Sequence, residues 1–473
     1  MRMQTIKILG LVILVGCVGY GVVTYQENPV NSTVRDFTMA MDHSGMTGWY
    51  KGKKQWQLQA GSVIKEQEQM IFRDVHNGLF MRDGQSPVQF QAPLAQYNKE
   101  KGYIDFPEGL TLIIDDQRIT MEKGMWSEKD SRLTAERVSI AKADGLELKG
   151  EKMIFESQAN YLTWQGALEI IKNSEKNHKL LITGNQAQYF SEGKKWQIDN
   201  QAEIRVFDGD GLFCTIHTSQ MAFQTDVPQV SFLATVHITG ENFSGECATA
   251  TLDDVALIGE EVQLNHHKMG RLTAGRMSVT RDEFYLFQNG VTCNRDNGDK
   301  IEALEATVDS NYNIKFSNAQ GVVSGKQKAH LRATTLLYQQ NQDIVASGEV
   351  EVKRDHTIFQ SDRMDMSSAS GAISATGHMM VQDGKGTVIN GARAQHDGTD
   401  KISFTGDVTI KQNNGTRVNG DFAEYNEKNQ QISVKGNVKA IKPDGRWLKA
   451  DSMLYDSQQR TAEFSGQVES GIN

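Results

Sequence analysis

Residues 344–352, Ile-Val-Ala-Ser-Gly-Glu-Val-Glu-Val, place Ile344, Ala346, Gly348, Val350 and Val352 at alternate positions with mostly polar residues between them. Side chains of an extended strand alternate between faces, so these five share one face and leave the other wet. The pattern returns at Ile373, Ala375, Gly377, Met379, Val381, at Ile402, Phe404, Gly406, Val408, Ile410, and at Ile432, Val434, Gly436, Val438, Ala440. A last copy reads Ala462, Phe464, Gly466, Val468, and successive glycines lie 29 or 30 residues apart. One strand cannot bury such a face alone, so the copies must stack.

Working outward, each copy holds a second strand ending in a bulky group: Tyr338, Met366, His396, Tyr425 and Tyr455. Turn formers such as Asn413-Asn414-Gly415 and Pro443-Asp444-Gly445 separate the strands. A Leu/Ile-x-Ala signature carries the array upstream through Leu331, Ile301, Leu272 and Leu133 to Trp56, Leu58, Ala60, leaving room for about fourteen copies. At one 4.8 Å step per copy the expected rod is on the order of 65 Å. Glycine weakens a strand, so its fixed place needs a cause. Two are open: a bend where the strand passes between two sheets, or a missing side chain that keeps a lumen clear.

The 473-residue chain has 38% hydrophobic residues, 43 glycines and only 6 prolines, which suits strands apolar on one side. Its formal charge of −9, without a cluster of lysine and arginine, excludes nucleic acid as the expected partner. Residues 1–26 read as a cytoplasmic tip and transmembrane anchor: Arg2 and Lys7 precede an uncharged stretch from Ile8 to Tyr25. The expected topology is therefore a single pass with a cytoplasmic N-terminus and everything after about Gln26 outside. The alternative is a lipoprotein anchored at Cys17, because Leu14-Val15-Gly16-Cys17 has the form of a lipoprotein cleavage box. Residues 27–52 read as a tether, 53–200 as a first β lobe and 201–473 as a second. Cys214, Cys247 and Cys293 lack metal-site spacing and read as isolated apolar residues, with one disulfide left open.

No catalytic constellation emerges. Zinc-helix, phosphate-loop and serine-elbow motifs are absent from the sequence, and no cofactor or metal is assigned. His266 and His267 are adjacent strand residues, point to opposite faces, and read as exposed histidines; Asp208-Gly-Asp-Gly211 reads as a turn. Trp56, Trp126, Trp164, Trp196 and Trp447 read as interior fillers. What remains is a trough between two sheets. Filled by its own side chains, it is a stalk; incompletely filled, it favours acyl chains. The candidates for lining it are Ile402, Phe404, Val408, Ile410, Ile432, Val434 and Val438, with Ile344, Val350 and Val352 a step toward the membrane. The acidic balance implies that an anionic glycolipid would be held by its tails, without general attraction for its head group.

With Ile8 to Tyr25 as anchor, Trp56, Leu58, Ala60 opening the fold, and Gly406, Gly436, Gly466 with Tyr425 and Tyr455 in its copies, the chain resembles the bridge proteins of lipopolysaccharide export. These form the LptC, LptA and OstA-like group. The resemblance implies an all-β, elongated repeat β jelly roll of two stacked twisted sheets after an N-terminal transmembrane helix, with no enzymatic activity. It implies that the single-pass anchor lies in the inner membrane, with the bulk of the chain periplasmic. It further implies lipopolysaccharide acyl chains as cargo, an inner-membrane ABC transporter as donor, and another β jelly-roll bridge or outer-membrane assembly protein at the C-terminal edge around Thr461 to Val468. The length, about twice that of a typical anchored member, suggests an LptC-like lobe (53–200) followed by an LptA/OstA-like lobe (201–473). The runner-up is a membrane-anchored structural or adhesive β-solenoid with a filled core.

Overall fold

In the computed structural model, residues 38–472 are described, apart from 115–116, 142–145, 160, 174–177, 226, 228 and 325–327. The anchor expected over 1–26 and the Cys17 alternative lie outside the described residues. No helix among the described residues is long and apolar enough to cross a membrane.

Alternating sequence becomes strand throughout. The described residues form 35 strands in one antiparallel ladder, in which each layer pairs with the layer before and after it in the chain. Six layers are split into two half-strands, for example Tyr103–Phe106 with Leu110–Ile114, and Thr461–Ser465 with Glu469–Ile472. That leaves roughly 29 layers, and at about 4.8 Å per layer the ladder runs on the order of 130 Å. The 65 Å expectation was short because it gave each copy one step. Both strands of a copy lie in the same ladder, so each copy advances it by two.

Within each layer the strand bends near its middle. Between Ser347 and Val350 the pairing register with 357–366 shifts, and the two residues left over, Gly348 (φ 74) and Glu349 (φ 49), are both left-handed. This is a bulge that turns the strand through a corner. Equivalent shifts fall at Thr376/Met379, Thr405/Val408 and Lys435/Val438, so the corners stack into one crease and a single folded sheet supplies both walls of the trough. The bend reading of the glycines therefore holds. A lumen role does not: Gly348 and Gly406 are exposed, and a Cβ on Gly436 would meet the Asp421 carboxylate of the neighbouring strand at 2.4 Å. Two residues per bulge preserve parity, which is why Ile344, Ala346, Val350 and Val352 still face inward after the corner.

Three further expectations are corrected. Residues 38–50, read as part of the tether, form a strand paired with Lys53–Glu66, so the sheet begins earlier. The lobe boundary at 200/201 falls inside strand Lys195–Asp208, at a corner formed by Asn200 (φ 59) and Gln201 (φ 66), and that strand pairs on both sides. His266 is buried among Tyr285 and Tyr312, while His267 is exposed; burial lowers the His266 pKa to about 4 and keeps the ring neutral. Cys214, Cys247 and Cys293 are free and buried, their thiols pushed up to about 12, about 11 and about 12 by burial.

Candidate functional site: the apolar trough and its seam

Inward residues of successive layers meet across the ladder in long rows. One row runs Ala346, Met364, Ala375, Ala394, Phe404, Ala423, Val434, Met453. Large groups sit beside small ones, as Phe404 does between Ala394 and Ala423, so neighbouring layers interlock along the row. Ile344, Val350, Val352, Ile402, Phe404, Val408, Ile410, Ile432, Val434 and Val438 all face this interior, each at most 3% exposed. They are brought together as one continuous core rather than as the wall of an open channel.

The core is not uniform. Toward the N-terminus it is aromatic: Phe80 stacks on Phe90 at 4.3 Å and on Trp126 at 4.4 Å, and Trp164 lies 4.8 Å from Trp196. These rings fill the space between the walls. Toward the C-terminus aliphatic residues and alanine replace them, and two voids appear. A void of about 470 Å³ touches Ile344 and Val352 together with Phe359, Met366 and Ile373. A second, of about 900 Å³, lies at the C-terminal end over Val418, Leu448, Met453 and Phe464, with Trp447 at its side. None of the candidates lines the second void. Phe359 and Leu448 also alternate in sequence, but on the partner strands Thr357–Met366 and Arg446–Asp456, which lack the in-phase glycine that drew attention to the first.

A concavity of about 1550 Å³ lies on the outer face along the crease between Glu108 and His237. Its walls carry the Glu122–Arg137 ion pair at 2.7 Å, Glu203 lies 3.7 Å from the His217 ring, and the sheet separates the groove from the trough.

Because hairpins alternate ends, their turns form two rows that face each other where the folded sheet is open. This seam is bridged along the chain. The Trp56 indole N–H donates to Glu128 at 2.8 Å, Lys172 donates to the Val227 carbonyl at 2.6 Å, and Arg281 to the Phe207 carbonyl at 3.1 Å. Farther on, the Tyr338 hydroxyl donates to buried Asp299 at 2.5 Å beneath the Arg295 guanidinium, and Arg354 donates to Glu427 at 2.5 Å. His396 completes the last cluster. Its Nδ1 accepts from the Gly398 amide at 3.0 Å, and its Nε2 lies 3.1 Å from the Arg354 guanidinium and 3.4 Å from Glu427.

Burial pushes the Glu427 carboxyl up, but the hydrogen bond from His396 and the charge and hydrogen bond of Arg354 outweigh it and hold the carboxyl below the usual range. A depressed carboxyl contributes stability that is present above its unfolded pKa and lost as pH falls through the folded one. Glu427→Gln is therefore expected to lower the urea midpoint at neutral pH and to flatten its decline on acidification below the ordinary glutamate range. Equal acid slopes for the two proteins would refute the assignment.

The site thus defines a class: an all-β folded ladder with an apolar interior closed laterally by a polar seam. Residues 330–461 match the family described as LptA/(LptD N-terminal domain) LPS transport protein. Twenty chains of solved structures match, among them LptH, the LptA homologous periplasmic component of the lipopolysaccharide transport device from Pseudomonas aeruginosa. That similarity has 15% sequence identity and a TM-score of 0.23, covering 25% of this chain and 94% of the other. No curated protein matches the chain.

Proposed function

We propose that this chain is a non-enzymatic, inner-membrane-anchored periplasmic bridge that accepts lipopolysaccharide from an ABC transporter and passes it along the apolar trough toward the outer membrane. The observation that carries the reading is the unbroken row of inward apolar side chains that runs through the segment matched to the Lpt family. An acyl chain entering between the walls exchanges one apolar neighbour for another, so the interior stays dry while the seam parts. Among the described residues the final half-strands, Thr461–Ser465 and Glu469–Ile472, pair only with Arg446–Asp456. Their free edge offers unpaired backbone groups to another β jelly-roll bridge or an outer-membrane assembly protein.

A second reading, a structural or adhesive solenoid with a filled core, draws support from the tight aromatic packing between Trp56 and Phe223. Photocrosslinking groups at Phe404 and Val434 separate the two. Transfer to lipopolysaccharide in cells is the expected result; silence at both positions while the protein remains folded leaves the filled stalk.

A further inference from the structure

The C-terminal void differs from the other concavities in its charge. The outer groove along the crease is walled by Glu108, Glu122, Glu151, Glu169 and Glu203 among its charged groups, and the 470 Å³ void sets Asp299 and Asp400 against Arg354. The 900 Å³ void is ringed by Lys385, Lys442, Arg446 and Arg460, and among the described residues no carboxylate lines it. Four cations have gathered at one mouth of a chain whose net charge is −9.

They come from three turns, Lys442 and Arg446 flanking the same one, and all four are exposed. Lys385 donates to the Gln430 amide across the seam, and Arg446 pairs with Asp444, whose carboxylate stands outside the void. Lys442 also lies near enough to Asp444 to help Arg446 lower its pKa, and among the described residues Arg460 has no ion-pair partner. Like charges held round one opening repel each other, and an anion placed between them relieves that repulsion. The floor beneath is apolar, with Leu448, Met453 and Phe464 below the rim and Trp447 and Tyr455 beside them. A basic collar over an apolar floor fits a molecule with an anionic head and a hydrocarbon tail.

We infer that the C-terminal mouth is a head-group site for phosphate-bearing amphiphiles, in which Lys385, Lys442, Arg446 and Arg460 engage the phosphate while the tail lies on the Leu448–Phe464 floor. The inference rests on the transport reading and adds to it a place where the cargo's charge is read. Phosphate can accept from several of these donors at once, and the two guanidinium groups can each present a pair of N–H donors. The sequence-based expectation of a head group held without electrostatic attraction is replaced here by local attraction: turns far apart in sequence collect cations that the overall balance hides.

The test uses the full chain and calorimetric titration with dodecyl phosphate, with dodecyl maltoside of the same tail length, and with inorganic phosphate, each amphiphile below its micellar concentration. Dodecyl phosphate is expected to bind at least tenfold more tightly than the maltoside, and to weaken with added salt. The combined variant Lys385→Gln, Lys442→Gln, Arg446→Gln, Arg460→Gln should lose that preference while retaining maltoside binding. Lys435→Gln, exposed at the crease and away from the void, should change neither. Equal affinity for the two amphiphiles, no binding of dodecyl phosphate, or unchanged preference in the combined variant overturns the site. So does stoichiometric displacement by inorganic phosphate, which marks a plain anion site, or displacement by self-association, which assigns the mouth to a second copy. Crosslinking from Phe404 and Val434 distinguishes the two levels. If it persists while the collar fails, transport stands alone; if it is silent in the unmodified chain, the transport reading falls whatever the collar binds.

Discussion

Replacing Trp126 with alanine is expected to destabilise the N-terminal layers by about 3–5 kcal/mol, the range for deleting a large aromatic side chain from a packed core. Trp126 is fully buried, stacked on Phe80, which is itself stacked on Phe90, and it lies 6.3 Å from Phe155. Its indole N–H has no hydrogen-bond partner, so the loss is one of packing alone. In a ladder where each layer touches mainly its neighbours, such a defect acts locally. The urea unfolding curve, followed by circular dichroism, should therefore split, with an early transition for the aromatic half and a late one unchanged from the parent. Trp126→Phe preserves the stack and should cost only about 1–1.5 kcal/mol. A single, uniformly shifted transition in the alanine variant would show that the ladder unfolds as one unit.

Gly436→Val should be nearly as damaging for a different reason. Gly436 sits at φ 76 and is followed by Asn437 at φ 49, so the crease needs two left-handed residues in succession. A β-branched residue there costs about 1–2 kcal/mol in backbone energy alone. Its Cβ would also press on the Asp421 carboxylate at 2.4 Å, the group that accepts a 2.8 Å hydrogen bond from the Asn437 side chain. Together these should exceed about 3 kcal/mol. Gly436→Asn, which tolerates the left-handed region, should be distinctly milder. Adding Asp421→Ala to Gly436→Val removes the clash but leaves the backbone cost, so a double-mutant cycle should show recovery of part of the loss. Full additivity would mean that the two corners do not press on one another.

The two variants probe what was and was not legible in the chain. Alternation at 344–352 and its return every 29 or 30 residues determined strands, a stacked array and which side chains face inward, because the two-residue period of a strand is a local property. The same local rule marked Ile402, Phe404, Ile432 and Val434 as interior. It also marked the glycine corner, since few residues accept a left-handed backbone. Corners such as Asn200–Gln201 carry no glycine and were invisible for that reason. The tertiary structure decided the rest. That both strands of a copy enter one ladder doubled its length, and that the interior closes tightly over the candidates came from large residues meeting small ones across neighbouring strands. Which turns face each other across the seam depends on the twist accumulated through many layers. Arg354 therefore meets Glu427, and Lys385, Lys442, Arg446 and Arg460 ring one void, although nothing in the spacing of these residues along the chain foretells either meeting.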